Sequence, residues 1–411
     1  MDKIINNKFN KIIMDEIINK LKKSNCIKEG YFLLRNGDYS KYYFDMKNLI
    51  SHPKLLESIG DEIYLKFIKN KLDTININTT DKNKKTIRIC GIPMGGLPLS
   101  TYISTKYNIP MIMIRDKVKN YGTQKQIEGE YNENDECIII EDVITTGGSV
   151  KESLEILEGK INVIGICVIL NRSNKKNIND INVYNLISKV DIIKNKLNSI
   201  IEKKKTRLCF SADLEDPKKV IDILEKIGKN IAVCKIHFDI FKFNEKYNSS
   251  CFKTHLIKLS CRDNFLLMED RKFFDISYIV EKQYSDFKEW IDLVTVHGLV
   301  NNEVLKKITC GVLLVSNMSN NDYDITNKCI EMYDNNNNVL GLITQNKVKH
   351  MDLLNFTPGI SFNKKIINDQ KYRNIDDIID NMPDIIIVGR AIYNSNNVLE
   401  TIIELNNKIN S

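Results

Sequence analysis

The chain lacks several features, and each absence narrows its function before any motif is considered. None of its ten cysteines forms a C-x-x-C pair, and several lie inside apolar runs, as in RICGIP, GICVIL and RLCFSAD. They read as buried free thiols in a reducing compartment, not as disulfides or metal ligands. No window is apolar over a membrane-spanning length, which excludes an integral helical membrane protein. The N-terminal MDKIINNKFNKIIMDEIINK is amphipathic and helical, with no apolar signal core and no Arg. Neither a secretory signal nor a mitochondrial presequence fits it, so a cytoplasmic protein is expected. No basic run is interleaved with aromatics, as a single-strand nucleic-acid groove requires. The dinucleotide fingerprint G-x-G-x-x-G is also missing.

What is present is ordinary for a soluble globular protein, at 42% hydrophobic and 27% charged residues. A length of 411 residues exceeds one ordinary core and predicts two domains. The net charge of +7 could signal nucleic acid or small anionic substrates. Yet Lys, Asn and Ile crowd surface-like stretches such as NNKFNK and YDNNNNVL. That compositional drift takes the weight out of charge as an argument for a partner.

From about Arg207 the chain alternates short apolar strands with helix-length connections. The strands are RLCFSAD, NIAVCKIH, NFLLMEDRK, DLVTVHG, GVLLVSNMS, VLGLITQ, LNFTPGI and DIIIVGR. Eight strands, each ending in polar or Gly-containing residues, predict a closed (β/α)₈ TIM barrel with those ends at one rim. The N-terminal half, with strands TIRICGIP, PMIMIR, ECIIIEDV and VIGICVIL, predicts an open, mostly parallel α/β sheet. Between two of them, DKVKNYGTQKQIEGEYNEND is polar and carries Gly122 and Gly129, which suggests a mobile flap. The helical stretch 188–205 joins the halves, giving domains 1–195 and 196–411.

Two segments carry chemistry. In FLLMEDRKFFDI a buried strand runs into Asp270, Lys272 and Asp275, at the rim where parallel α/β folds keep active sites. Two carboxylates around one ammonium hold the Lys protonated and load the site with negative charge. By itself, a lone D-x-K-x-x-D also reads as a solvated loop. In CIIIEDVITTGGSV a buried strand delivers Glu141 and Asp142, followed by Thr145, Thr146, Gly147, Gly148, Ser149 and a helix near Val150. Small residues at a strand-to-helix turn let backbone N–H groups converge on a phosphate. Adjacent acids can take ribose hydroxyls, with a divalent ion alongside.

That second arrangement resembles the phosphoribosyl pyrophosphate (PRPP) motif of type I phosphoribosyltransferases. FLLRNGDYSKYYFDMKNLISHPKLL and RDKVKNYG narrow the resemblance to orotate phosphoribosyltransferase. The resemblance implies PRPP binding by Arg115, Tyr121, Glu141, Asp142 and the 145–149 turn. It implies orotate binding by Arg35, Tyr43, Phe44 and Arg172, with Lys119 catalytic on the flap. Mg²⁺ would be held mainly through PRPP and not directly by protein ligands.

The second half resembles orotidine 5′-monophosphate (OMP) decarboxylase, and the whole chain resembles the bifunctional UMP synthase family. The matching motifs are CFSAD, CKIHFDI, D-x-K-x-x-D, Met318-Ser319, FTPGI, DQKY and IIIVGR. The resemblance implies catalysis by Lys235, Asp270, Lys272 and Asp275 without a cofactor. OMP or UMP would be bound by Ser211, Asp213, His237, Ile276, Ser319, Pro358, Gln370, Tyr372 and Arg390. Asp275 and Ile276 would reach a neighbouring subunit, which implies a homodimer, through both domains. His297 is expected to pack and not to catalyse.

Three residues depart from the family pattern. Asp116 follows the loop Arg where Lys is usual, and would weaken pyrophosphate binding unless Lys117 takes over. Arg35 stands for Lys, and Ile279 replaces a ribose-contacting Thr. The expected reaction is orotate and PRPP to OMP and pyrophosphate, then OMP to UMP and CO₂. One alternative is an active decarboxylase with a weak or inactive transferase half. Another is a PRPP-sensing nucleic-acid regulator, which has no place for an active barrel.

Overall fold

The computed structural model describes residues 2–34, 37–77, 85–115, 125–318, 323–361, 365–367 and 370–410, side chains excepted at 2–10, 75–77, 365–367 and 370–372. They form two compact units that do not follow one another along the chain. One comprises Met1–Lys28 and Phe44–Lys189, the other Glu29–Tyr43 and Val190–Ser411. The division therefore falls six residues before the boundary drawn at 195, and an N-terminal segment joins the second unit. That segment is mostly a hairpin of β1 (Ile27–Leu33) and β2 (Tyr39–Phe44).

The first unit is built on β3 (Ile87–Gly91), β4 (Met111–Ile114), β5 (Ile127–Glu128), β6 (Glu136–Ile144), β7 (Asn162–Asn171), β8 (Asn177–Ile178) and β9 (Ile181–Ser188). Their order is β5-β4-β3-β6-β7-β9-β8. The five inner strands run parallel, with β5 and β8 antiparallel at the edges. Central β6 is buried from Cys137 to Asp142, as expected of a parallel strand covered on both faces. The sequence reading located β3, β4, β6 and β7. It missed β9, INVYNLIS, whose Asn182 and Asn185 break the apolar run.

The second unit is a closed parallel barrel of β10 (Leu208–Ser211), β11 (Val233–Ile236), β12 (Leu266–Phe273), β13 (Leu293–His297), β14 (Gly311–Val315), β15 (Val339–Ile343) and β16 (Leu354–Thr357). A small sheet of β17 (Ile360–Ser361), β18 (Lys365–Ile367) and β19 (Gln370–Asn374) follows, before β20 (Ile385–Val388) closes the barrel between β16 and β10. The eight barrel strands are the eight expected from the apolar runs. All ten cysteines are free, eight of them buried. Among the described residues no helix is long and apolar enough to cross a membrane.

The hairpin belongs to the barrel unit for an electrostatic reason. Lys41 is fully buried, and its ammonium donates to Asp292 at 2.5 Å and to Ser260 at 2.6 Å. The Tyr42 hydroxyl donates to the other Asp292 oxygen at 2.7 Å, and the Leu267 N–H to Asp292 at 2.8 Å. Burial alone would raise the Asp292 carboxyl. The Lys41 and Lys196 ammoniums, with the Lys41 and Leu267 hydrogen bonds, hold it below the ordinary value. Asp292 immediately precedes β13, so this pair sits at the N-terminal end of the barrel strands. A buried carboxylate left without its cation is strongly destabilising. Lys41→Met should therefore lower the unfolding free energy of the barrel unit by about 3–5 kcal/mol in urea titrations. Adding Asp292→Asn should recover much of that loss, whereas a merely space-filling Lys41 would give additive losses.

Candidate active sites

At the barrel rim, three neighbouring strands deliver charges of alternating sign. The register pairs Ser211 of β10 with Lys235 of β11, and Lys235 with Met268 of β12, so residues just beyond these positions meet. The Lys235 ammonium donates to Asp270 at 2.8 Å and to Asp213 at 3.1 Å, and Lys272 pairs with Asp270 at 3.0 Å. The ladder runs Asp213–Lys235–Asp270–Lys272. The Ser211 hydroxyl donates to Asp213 at 2.8 Å, and His237 Nε2 lies 3.3 Å from Asp270 and 3.0 Å from Lys235. Burial would push the Asp270 carboxyl up. Lys235, His237 and Lys272 together hold it well below the carboxylate range. Burial likewise opposes the charge on Lys235, and Asp270 and Asp213 override it and raise its pKa. An ionised carboxylate thus sits against a charged ammonium, with Lys272 pairing to the same carboxylate.

Asp275 does not join this ladder within one chain. It is exposed, and its carboxylate accepts the N–H of Ile276. Within one chain the fourth charge is Asp213, which meets Lys235 at 3.1 Å; Asp275 is the residue expected to reach a neighbouring subunit. Pro358 follows β16 and Arg390 opens the helix Arg390–Tyr393 after β20. Gln370 and Tyr372 lie on β19, their side chains outside the description, and Ser319 lies outside the described residues. His297 packs against the Phe274 ring at 4.7 Å.

In the first unit, Glu141 and Asp142 are both buried near the end of β6, which continues to Ile144. Burial and the neighbouring Asp142 carboxylate push the Glu141 carboxyl up. Gly147, at φ +86°, turns the chain into the helix Gly148–Leu157, a backbone angle that side chains resist. Gly95 passes so close to this pair that a Cβ there would lie 2.0 Å from Asp142 Oδ2. The segment GIPMGG after β3 thus belongs to the site, and sequence reasoning missed it. Its only local signal is two adjacent glycines at a strand end.

Arg172 follows β7 and places its guanidinium 4.9 Å from the Phe44 ring centroid, so two residues expected to bind orotate are together. Tyr43 falls in the other unit, exposed and beside Phe32. Arg115 is ion-paired with Glu128 at 2.6 Å. Arg35, Asp116, Lys117, Lys119 and Tyr121 lie outside the described residues. Among the described residues no group of three His, Cys, Asp or Glu side chains could hold a metal ion.

Comparisons with known proteins follow the same division. Residues 206–404 match the family described as orotidine 5′-phosphate decarboxylase / HUMPS, and residues 65–199 match the phosphoribosyl transferase domain. Over 94% of this chain and 95% of that protein, the sequence is 28% identical to uridine 5′-monophosphate synthase of Bos taurus. The corresponding protein of Caenorhabditis elegans is 26% identical, with 92% of each covered. Orotate phosphoribosyltransferase of Pyrococcus horikoshii is 40% identical over 40% of this chain and 83% of that protein.

One buried acid near the barrel site has a measurable signature. Glu269, fully buried beside Asp270, accepts the Phe238 N–H at 3.1 Å. Burial pushes its carboxyl up to about 8, and the Asp239 and Asp270 carboxylates add to the rise. Because the folded value lies above the unfolded one, this contribution to stability is fully present below about pH 4.5 and lost as pH rises through about 8. Urea midpoints of wild type should therefore decline between about pH 5 and 8, and Glu269→Gln should flatten that decline. An unchanged slope in the variant would assign the decline to other groups.

Proposed function

We propose, because the chain belongs to the bifunctional uridine 5′-monophosphate synthase family, that it makes UMP from orotate and PRPP in two steps. The observation that carries this reading is the Asp213–Lys235–Asp270–Lys272 ladder at the barrel rim. Decarboxylation breaks the bond from C6 of OMP to its carboxyl carbon. The electron pair stays on C6, in the ring plane, where the ring offers no delocalisation. Lys272 gives its proton to C6, and Asp270 crowds the departing carboxylate. Charges fixed before the substrate arrives need no reorganisation as the reaction proceeds. Asp213 takes the ribose hydroxyls, while Gln370, Tyr372 and Arg390 take the phosphate, where barrels commonly bind one. Phosphate binding far from C6 then contributes to closure and to the chemical step.

In the first unit, N1 of orotate displaces pyrophosphate at C1 of PRPP. Glu141 and Asp142 take the ribose hydroxyls, and the N–H groups of the 145–149 turn cradle the 5′-phosphate. Arg172 pairs with the orotate carboxylate beside Phe44, and Arg115 leaves Glu128 for the pyrophosphate. Mg²⁺ would be carried in on PRPP and not ligated directly by the acid pair, which sits alongside on the ribose. Mg²⁺, when bound, would neutralise charge on the leaving pyrophosphate. Lys119 and Tyr121 belong to the flap that excludes water.

A homodimer is supported by exposed Phe274, Ile276 and Tyr278, at 60%, 66% and 62%, grouped where β12 leaves the barrel. Apolar side chains gathered there suit a second copy, whose ladder Asp275 would complete. Ten cysteines, none of them in a disulfide, support a reducing, cytoplasmic location. A second reading, a weak transferase half, is favoured by the ion pair that occupies Arg115.

Purified protein with orotate, PRPP and Mg²⁺ should release pyrophosphate and accumulate UMP without added enzymes. Pyrophosphate release absent while OMP is turned over would favour the second reading, and no turnover of either substrate would end both. Lys272→Ala should lower OMP turnover by at least about 10³-fold while pyrophosphate release stays within about twofold. Arg172→Ala should do the reverse. Mixing inactive Lys272→Ala and Asp275→Ala chains after subunit exchange should restore about one quarter of wild-type decarboxylation, since one site in each mixed dimer is intact. Failure to restore any would place Asp275 outside the partner's site.

A further inference from the structure

Thr295 on β13 is fully buried directly behind the catalytic ladder. Its hydroxyl donates to Asp270 Oδ1 at 2.8 Å and accepts the backbone N–H of Lys272 at 2.9 Å. Donor and acceptor capacities of one oxygen are thus committed to the two residues that face the reacting bond. Lys235 and Lys272 both engage the other Asp270 oxygen, Oδ2. The Thr295 hydroxyl is what holds Oδ1 and fixes the tilt of the carboxylate plane.

The backbone adds an independent observation. Pairing of β12 with β13 slips between Glu269 and Phe273, taking residues 270–272 out of the regular ladder. Lys272 adopts φ +49°, a left-handed conformation that the Cβ of any L-residue disfavours and that persists only where its surroundings hold it. At that bulge a side-chain hydroxyl accepts the Lys272 N–H, in place of the carbonyl a regular strand pair would offer. Strand bulges beside active sites re-aim side chains, and here the lysine re-aimed is the proton donor.

We propose that Thr295 is a positioning residue for decarboxylation. Its single hydroxyl locks the Asp270 carboxylate and the left-handed backbone of Lys272 into one geometry. This rests on the decarboxylase reading of the barrel, and it concerns chemistry more than substrate capture, because Thr295 lies behind the ladder, away from the phosphate-binding loops. Reacting groups displaced by about 1 Å can lose 10²-fold in rate.

The test uses the full chain and OMP, with UMP binding by calorimetry as a readout independent of the chemical step. Thr295→Val keeps the shape and removes both hydrogen bonds. It should lower kcat by about 10²-fold, with KM and the UMP dissociation constant within about threefold of wild type. Thr295→Ser, which keeps the hydroxyl, should restore kcat to within about threefold. An active wild type whose Val variant keeps its kcat would overturn the inference alone. So would a loss shared equally by kcat and UMP affinity, or one that Ser does not rescue. A wild type inert toward OMP would overturn the decarboxylase reading and the inference together. If the Val variant does not fold, Thr295→Ala cannot overpack the strand, and its kcat decides by the same criteria.

Discussion

The Asp270 carboxylate is buried, ionised and shared between two ammonium groups, and much of the barrel is arranged to make that tolerable. An isolated carboxylate at this depth would take up a proton. Lys235 at 2.8 Å and Lys272 at 3.0 Å prevent it. Asp213 in turn balances Lys235. The charges come from β10, β11 and β12, three consecutive parallel strands of a closed barrel, whose register carries their ends to one level. Opening the barrel or slipping one strand would leave a buried charge without its partner. Fold and chemistry therefore share one constraint.

The two sites differ in how complete they are before substrate arrives. Within one chain each charge of the barrel ladder is already opposed by another. In the first unit, Arg115 is held by Glu128 and the Glu141 carboxyl is pushed up by burial and Asp142. In the proposed reading, that site would exchange an internal ion pair for one with the leaving group. Its strand-to-helix turn passes through Gly147, and the close passage of Gly95 to Asp142 shows how little room side chains are given. A transferase of this kind gains its order from the ligand, whereas the decarboxylase brings its order to the ligand.

The buried Lys41–Asp292 pair ties the N-terminal hairpin to the barrel. The chain leaves the first unit at Glu29, supplies the barrel unit with a hairpin and a buried cation, and returns at Phe44. A cut at 195 would therefore strip Asp292 of Lys41. Buried ion pairs of this sort add little net stability over an apolar replacement. What they impose is a geometry from which neither partner can depart alone.

Much of this was legible in the residues. Parallel strands buried on both faces must be continuous apolar runs, so all eight barrel strands and four of the five inner strands of the open sheet stand out. The charges of EDRKFFD and the acids and glycines of EDVITTGGS are contiguous, so local chemistry announces both sites. What could not be read depends on register between distant strands. That Asp213 meets Lys235 follows from where β10 pairs with β11. That Thr295 touches both Asp270 and Lys272 follows from a slipped pairing of β12 with β13, and that Lys41 belongs to the barrel follows from a carboxylate 251 positions away. Local sequence determined which elements form and which residue types they carry to their ends. Tertiary structure decided which charges meet, because a hydrogen bond is set by distances of a few ångströms that no local period encodes.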